Sequence, residues 1–197
     1  MNNEPMQPMQ VEFLAEAVVQ AVEYGQQRTN ASLKRRDNWG LKNNDPVEDA
    51  RRQTIGTLGE WAVAHSFEQD YVFTVGTFKA PDVVVNGIGL QVKASERAAN
   101  LIIRPDAKDH EPYILCHVIM PPGDPRKWTV KSLGIHPCVF VDIIGWLYPY
   151  DARLIADAYP EYHRDPGHRS PAIFMPRELL RGMSELQEVC KNGTALS

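Results

Sequence analysis

The N-terminal part of the chain has apolar residues at helical spacing. Val11, Leu14, Val18 and Val22 recur every three to four residues, and Gly25 follows them. Apolar residues at such intervals form the buried stripe of an amphipathic helix, and glycine often ends one. We therefore predict a first helix over these residues that ends near Gly25.

A second helix has the clearest start signal in the chain. Asp45 can cap it, Pro46 suits its first position, and Glu48 can complete a capping box. The pattern predicts that the helix runs to about Phe67 and buries its apolar positions, which are Val47, Ile55, Leu58, Ala62 and Trp61.

A tight hairpin follows. Residues 82–85 and 88–93 flank Asn86-Gly87, the dipeptide that best supplies the two positive-φ positions of a type I′ turn. A two-residue loop sets the register, so that Asp82 lies opposite Gln91. Gln91 and Lys93 are two residues apart on one strand and therefore project from the same face.

The remaining pattern favours an α/β fold with a mixed sheet flanked by helices. Further strands are predicted at residues 71–75, 113–120, 128–133, 139–147 and 172–175, and a last helix is predicted from Pro176 through Leu179, Leu180, Met183 and Leu186. We divide the chain into an N-terminal helix with a basic linker (residues 1–44) and one domain (residues 45–197).

Composition and charge narrow the classes of function. No stretch approaches the roughly 20 apolar residues of a membrane span, and the first ten residues carry no signal-peptide pattern, so we expect a cytoplasmic protein without a membrane partner. The net charge of −4 excludes a general basic coating of nucleic acid. Residues 28–52, however, contain seven basic and four acidic residues. This segment is either an arm that meets phosphate, through Lys34, Arg35 and Arg36, or a solvated linker.

Four polar residues are candidates for chemistry. Glu60 follows Gly56 and Gly59 inside the second helix, where glycine is costly and is tolerated for close packing or a ligand. The predicted register brings Asp82, Gln91 and Lys93 together on the hairpin. Ordinary structural roles stay open, because Glu60 can face solvent, Asp82 can serve a turn, and Lys93 can protect a strand edge.

These residues resemble the PD-(D/E)XK nuclease superfamily. The matching motifs are Gly59-Glu60, Pro81-Asp82 and Gln91-Val92-Lys93, within residues 46–95. Residues 145–147, 172–176 and 180–186 are more loosely similar to the C-terminal half of small phage or prophage members. The resemblance implies a restriction-endonuclease-like fold and a DNA nuclease dependent on Mg²⁺, for which Mn²⁺ can substitute.

The resemblance also implies a role for each residue. Asp82 is the central metal ligand, Glu60 is a second ligand that can act through water, and Lys93 orients the attacking water and stabilises the transition state. Gln91 stands where an acid is more usual, so it contributes an oxygen without charge. Ser95, which follows Lys93 on the strand, can donate to a phosphate or simply end the strand.

Two functions agree with these residues. One is a metal-dependent nuclease in the cytoplasm, for instance in a phage-infected bacterium, as a monomer or a homodimer. The other is a catalytically inactive protein that keeps the nuclease fold and binds DNA or a regulatory partner. The residues do not separate an exonuclease from an endonuclease or a junction resolvase, because these share the site and differ in loops.

Overall fold

The computed structural model describes residues 7–36, 45–75, 80–163 and 172–192, with the backbone alone for residues 32–36. The strands are β1 (Met9–Phe13), β2 (Val83–Val85), β3 (Ile88–Ser95), β4 (Asn100–Ile103), β5 (Tyr113–Ile119), β6 (Val139–Leu147) and β7 (Ile173–Pro176). The helices are α1 (Ala15–Arg36), α2 (Pro46–Ser66), α3 (Val130–Leu133), α4 (Pro149–Ala158) and α5 (Met183–Asn192). Short 3-10 turns span Pro125–Lys127, Pro160–Tyr162 and Arg177–Leu179. No helix in these ranges is long and apolar enough to cross a membrane.

The main sheet is mixed and has five strands, in the order β1-β6-β5-β3-β2. β3 and β5 are parallel, and the other neighbouring pairs are antiparallel. β4 and β7 form a separate antiparallel pair. The α/β class with a mixed sheet flanked by helices is thus confirmed.

Both faces of the main sheet are covered, as the alternation along β5 shows. Ile114 and Cys116 belong to a core shared with α1, α2 and α5. Tyr113 and Leu115, on the opposite face, belong to a second core shared with α4, β4 and β7. Because successive side chains of a strand point to opposite faces, one strand contributes to both cores.

The prediction for the first helix is wrong at both ends. Val11 lies in β1, which pairs with β6 at the edge of the sheet, and α1 begins only at Ala15. The helix then continues through Gly25. A Cβ atom at this position would lie 2.9 Å from both the backbone nitrogen and Oγ1 of Thr54, so the glycine permits close packing of α1 on α2.

The bounds of the second helix and the turn of the hairpin are confirmed. Asp45 accepts a hydrogen bond from the Val47 N–H at 2.8 Å, and the helix ends at Ser66 with Phe67 as its cap. In the hairpin, Val85 pairs with the first residue of β3, and Asn86 and Gly87 have φ values of 50° and 84°.

In the second helix, Ile55, Leu58 and Ala62 are buried as predicted, but Val47 and Trp61 are only partly buried. The prediction of a capping box is wrong, because Glu48 lies 3.3 Å from Arg52 instead.

Three other predicted elements differ in the structure. Residues 71–75 form no strand. Residues 128–133 contain α3 instead of a strand, because the Thr129 hydroxyl caps a helical turn by accepting from the Ser132 N–H. Residues 177–179 form a 3-10 turn after Pro176, and the last helix starts later, at Met183.

Candidate functional site

Asp82 lies just before the first residue of β2, where β3 continues without a neighbouring strand on that side in the described part of the chain. The Asp82 N–H donates to the Leu90 carbonyl at 2.9 Å, just before the regular β2–β3 pairing begins at Val83 and Leu90. Asp82 is not part of that paired register, so its predicted position opposite Gln91 stays a prediction. Further along β3, the Val92 N–H has no strand beside it and donates to Asp82 Oδ2 at 2.8 Å. This bond fixes the carboxylate against the open edge of β3.

Two glycines allow the close approaches that bring the site together. A Cβ atom at Gly59 would lie 2.5 Å from Ala94 Cβ, so α2 packs directly against β3. A Cβ atom at Gly89 would lie 2.5 Å from the Pro81 ring, which sits over the hairpin just before Asp82. A Cβ atom at Gly56 would meet no atom within 4 Å, so packing does not require this glycine.

All four predicted site residues line one cavity of about 640 Å³. Its wall contains four basic residues and four acidic residues, which are Arg28, Lys93, Arg104 and Lys108, and Glu60, Asp82, Asp106 and Glu111. Glu60 comes from α2, Asp82 precedes β2, and Gln91 and Lys93 lie on β3. The sequence prediction that these side chains converge is consistent with this placement.

The Glu60 carboxylate is engaged on both oxygens. Arg28 Nη1 donates to Oε1 at 2.7 Å, Arg28 Nη2 donates to Oε2 at 2.5 Å, and the Tyr71 hydroxyl donates to Oε2 at 2.7 Å. Burial by itself lowers the pKa of Arg28, but the hydrogen bond to Glu60 and the charge of that carboxylate outweigh it, and the net shift is upward. Burial, followed by the charge of Glu60, raises the pKa of Tyr71, so Tyr71 remains a neutral donor.

The surroundings of Asp82 disfavour the charged form of its carboxyl group. Burial raises the pKa of its carboxyl group, and the nearby charge of Glu60 raises it further. Lys93, the Val92 N–H and Arg28 act in the opposite direction without cancelling the shift. Among the described residues, Asp82 Oδ1 has no hydrogen-bond partner, so one oxygen of a destabilised carboxylate is available to a ligand.

Glu111 is a site residue that the sequence analysis missed. Gln91 Nε2 donates to Glu111 Oε2 at 3.3 Å, and Lys108 pairs with the other oxygen of the same carboxylate. A carboxylate only accepts hydrogen bonds, so Glu111 favours the amide orientation in which Gln91 Oε1 is turned away from it. The loop before β5 carries Glu111, and no local motif marks it.

Lys93 provides a positive charge close to Asp82. Its ammonium group lies 5.1 Å from the centre of the Tyr113 ring, and its charge lowers the pKa of Asp82. Within the described ranges, no carboxylate lies within ion-pair distance of it. The ammonium is thus available to an anion in the cavity.

The predicted DNA contacts are only partly described. Lys34, Arg35 and Arg36 end α1, and their side chains are outside the described residues. Ser95 Oγ accepts from the N–H groups of Arg97 and Ala98, at 3.0 and 2.8 Å, as expected for a hydroxyl that ends a strand. Its contact with a phosphate remains a prediction.

Other basic residues of the 28–52 segment have acidic partners. Arg51 binds Glu96, and Arg52 lies 3.3 Å from Glu48. Arg28 alone in this group both has a described side chain and lines the cavity. Among the described side chains of this segment, Arg28 is therefore the basic residue that brings positive charge to the cavity.

Neither a family model, nor a curated protein, nor a solved structure matches the chain. In the described parts of the chain, no group of three or more His, Cys, Asp and Glu side chains is arranged to hold a metal ion. The predicted ligand set contains two acids and one amide. A functional assignment therefore depends on the geometry of the cavity.

Proposed function

We propose that this protein is a Mg²⁺-dependent DNA nuclease of the PD-(D/E)XK type, with a restriction-endonuclease-like fold. The observation that carries the proposal is the convergence of Glu60, Asp82, Gln91 and Lys93 on one cavity. These side chains come from a helix, the residue that precedes a strand, and a second strand. Two acids and an amide offer oxygen ligands for a cation, and the lysine offers a positive charge for the phosphate.

The donor set fits a hard divalent cation. Asp82 Oδ1 has no partner among the described residues, and Glu111 turns Gln91 Oε1 away from itself. Mg²⁺ prefers oxygen ligands, keeps several of its waters and needs only one or two carboxylates from the protein. A cation would also relieve the unfavourable charge that raises the pKa of Asp82.

Each residue has a defined task in this proposal. Asp82 and Gln91 would hold the cation directly, and Glu60, whose oxygens already accept from Arg28 and Tyr71, would contribute through water. When bound, the cation neutralises phosphate charge and lowers the pKa of a water. Lys93, which has no carboxylate partner in the described residues, would orient the attacking water and would stabilise the negative charge that develops on the phosphate.

A second candidate has its own supporting observation. The Glu60 carboxylate is engaged by Arg28 and Tyr71, and Gln91 adds no charge, so these residues leave one carboxylate oxygen, on Asp82, for a cation. A protein that binds DNA with this cavity but does not cleave it would have the same arrangement. The two candidate functions differ in whether the protein cleaves the DNA that it binds.

The test is cleavage of labelled duplex, single-stranded and four-way-junction DNA with Mg²⁺ and with Mn²⁺. Wild type should cleave at least one substrate, and Asp82→Asn should abolish cleavage, because it keeps the acceptor for the Val92 N–H but loses the charge. Lys93→Ala should lower the rate and leave Mn²⁺ affinity within about twofold, since its role is in the transition state.

Asp157→Asn is the matched control, because this carboxylate is 75% exposed and lies outside the described cavity lining. It should behave as wild type. Cleavage that persists in purified Asp82→Asn would place the activity elsewhere. If wild type binds DNA and cleaves none of these substrates with either metal, the binding protein is the better description.

A further inference from the structure

Arg28 has hydrogen-bonding capacity left over in the cavity. A guanidinium group has five N–H donors. Two of them engage Glu60, and a third donates to the Tyr71 hydroxyl at 3.2 Å. Two N–H groups, including the one on Nε, have no hydrogen-bond partner among the described residues. The side chain lines the cavity and is 17% exposed.

The guanidinium group is held rigidly. Its central carbon lies 5.2 Å from the centre of the Phe73 ring, and that ring stacks on Tyr24 with centroids 3.8 Å apart and planes 8° from parallel. Glu60 and Tyr71 fix the edge of the group that carries Nη1 and Nη2. An arginine whose orientation is fixed before binding loses less entropy when it contacts an anion.

The Arg28–Glu60 ion pair is not explained by a contribution to folding stability. The cost of desolvating two charges commonly cancels their attraction, and an apolar pair of similar volume is often as stable or more so. Removing one partner alone, in contrast, leaves a buried charge and is strongly destabilising. The pair is therefore better explained by what Arg28 does in the cavity.

We propose that Arg28 binds a phosphate group of the nucleic acid in this cavity and that Glu60 and Tyr71 are positioning residues that aim it. The inference rests on the proposed function for the identity of the substrate. Lys93 and Arg28 then provide two separate cations for the backbone, one on β3 and one on α1. Glu60 then has two tasks, since it holds Arg28 and also contributes to the cation site through water.

The test is the salt dependence of DNA binding in the presence of EDTA, measured by fluorescence anisotropy with a labelled duplex. The variant is the double substitution Arg28→Gln with Glu60→Gln, which removes one positive and one negative charge and leaves the net charge unchanged. Loss of one phosphate contact should reduce the slope of log affinity against log salt concentration by about 0.9. A purely structural ion pair would leave the slope unchanged.

The matched control is Arg51→Gln with Glu96→Gln. This pair also joins α2 to another part of the chain, lies outside the described cavity lining, and preserves the net charge when both partners are changed. Its slope should equal that of wild type. If the first double variant does not fold by circular dichroism, Arg28→Lys replaces it, because one ammonium group committed to Glu60 should also lose the phosphate contact.

The outcomes separate this inference from the proposed function. If the double variant has a reduced slope and wild type cleaves no DNA, Arg28 is supported as a phosphate ligand and the nuclease is refuted. Cleavage by wild type with an unchanged slope in the folded variant refutes the role of Arg28 and leaves the nuclease intact. Absence of any DNA binding by wild type without metal also overturns the inference.

Discussion

Replacing Gly59 by alanine tests the packing that brings Glu60 to the hairpin. The new Cβ atom would lie 2.5 Å from Ala94 Cβ and 3.4 Å from Val92 Cγ1, both on β3. The first contact is too short to tolerate, so α2 and β3 must separate. The same replacement at Gly56, about one turn earlier in the same helix, meets no atom within 4 Å.

The magnitude follows from comparing the two variants. Both gain the helix propensity of alanine over glycine, about 1 kcal/mol, so this contribution cancels in the difference. What remains is the cost of overpacking at Gly59, about 1–3 kcal/mol. For a chain of this size, the melting temperature of Gly59→Ala should be roughly 2–12 °C below that of Gly56→Ala.

The assay is thermal and urea unfolding of both variants and wild type, with Mn²⁺ calorimetry as a second readout. Gly56→Ala should be more stable than wild type and bind Mn²⁺ as wild type does. Gly59→Ala should bind it more weakly, because Glu60 moves with the helix. Free energies of unfolding that agree within about 0.5 kcal/mol would show that α2 does not pack on β3 as described.

Three further predictions concern single side chains. Asp82→Asn should raise the free energy of unfolding in EDTA. Because the pKa of Asp82 is raised in the folded state, its contribution to stability is most favourable below the ordinary carboxyl pKa, near 3.9, and is lost as the pH rises. The stability gained by the substitution should therefore be larger at pH 7.5 than at pH 4.5. A gain that is equal at both pH values would contradict this reasoning. Gln91→Glu places a second carboxylate beside Glu111, so it should lower the melting temperature in EDTA and recover it with Mg²⁺, whereas Gln91→Met should show no recovery. Tyr148→Phe should stabilise the fold by about 1 kcal/mol in urea unfolding, because the buried hydroxyl has no hydrogen-bond partner in the described structure, and a loss of stability would reveal a partner.

The elements that could be predicted from the sequence are those whose signals are local. Asp45 and Pro46 mark the start of α2, and Asn86-Gly87 sets the hairpin register, in which Val85 pairs with Ile88 and Val83 with Leu90. Each signal acts through neighbouring backbone atoms, so tertiary structure did not override it. These two elements already contain the four residues of the predicted site.

Features that depend on distant packing were not predictable in this way. Val11 fits a helical pattern as well as an alternating one, and pairing with β6 decides for the strand. Arg28 belongs to a segment that the sequence marks only as basic, and its contact with Glu60 arises from the packing of α1 on α2. Glu111 is 20 residues from Gln91 in the chain, and the parallel pairing of β3 with β5 brings them together.

The central claim is that Asp82 and Gln91 hold a divalent cation in the cavity. The most direct measurement is anomalous diffraction from crystals of the protein soaked in Mn²⁺, with Asp82→Asn crystals treated in the same way. We expect one strong anomalous peak about 2.1 Å from an oxygen of Asp82 and close to Gln91 Oε1 in wild type, and no peak in the variant. Wild-type crystals with an open cavity and no peak beside Asp82 would contradict the claim.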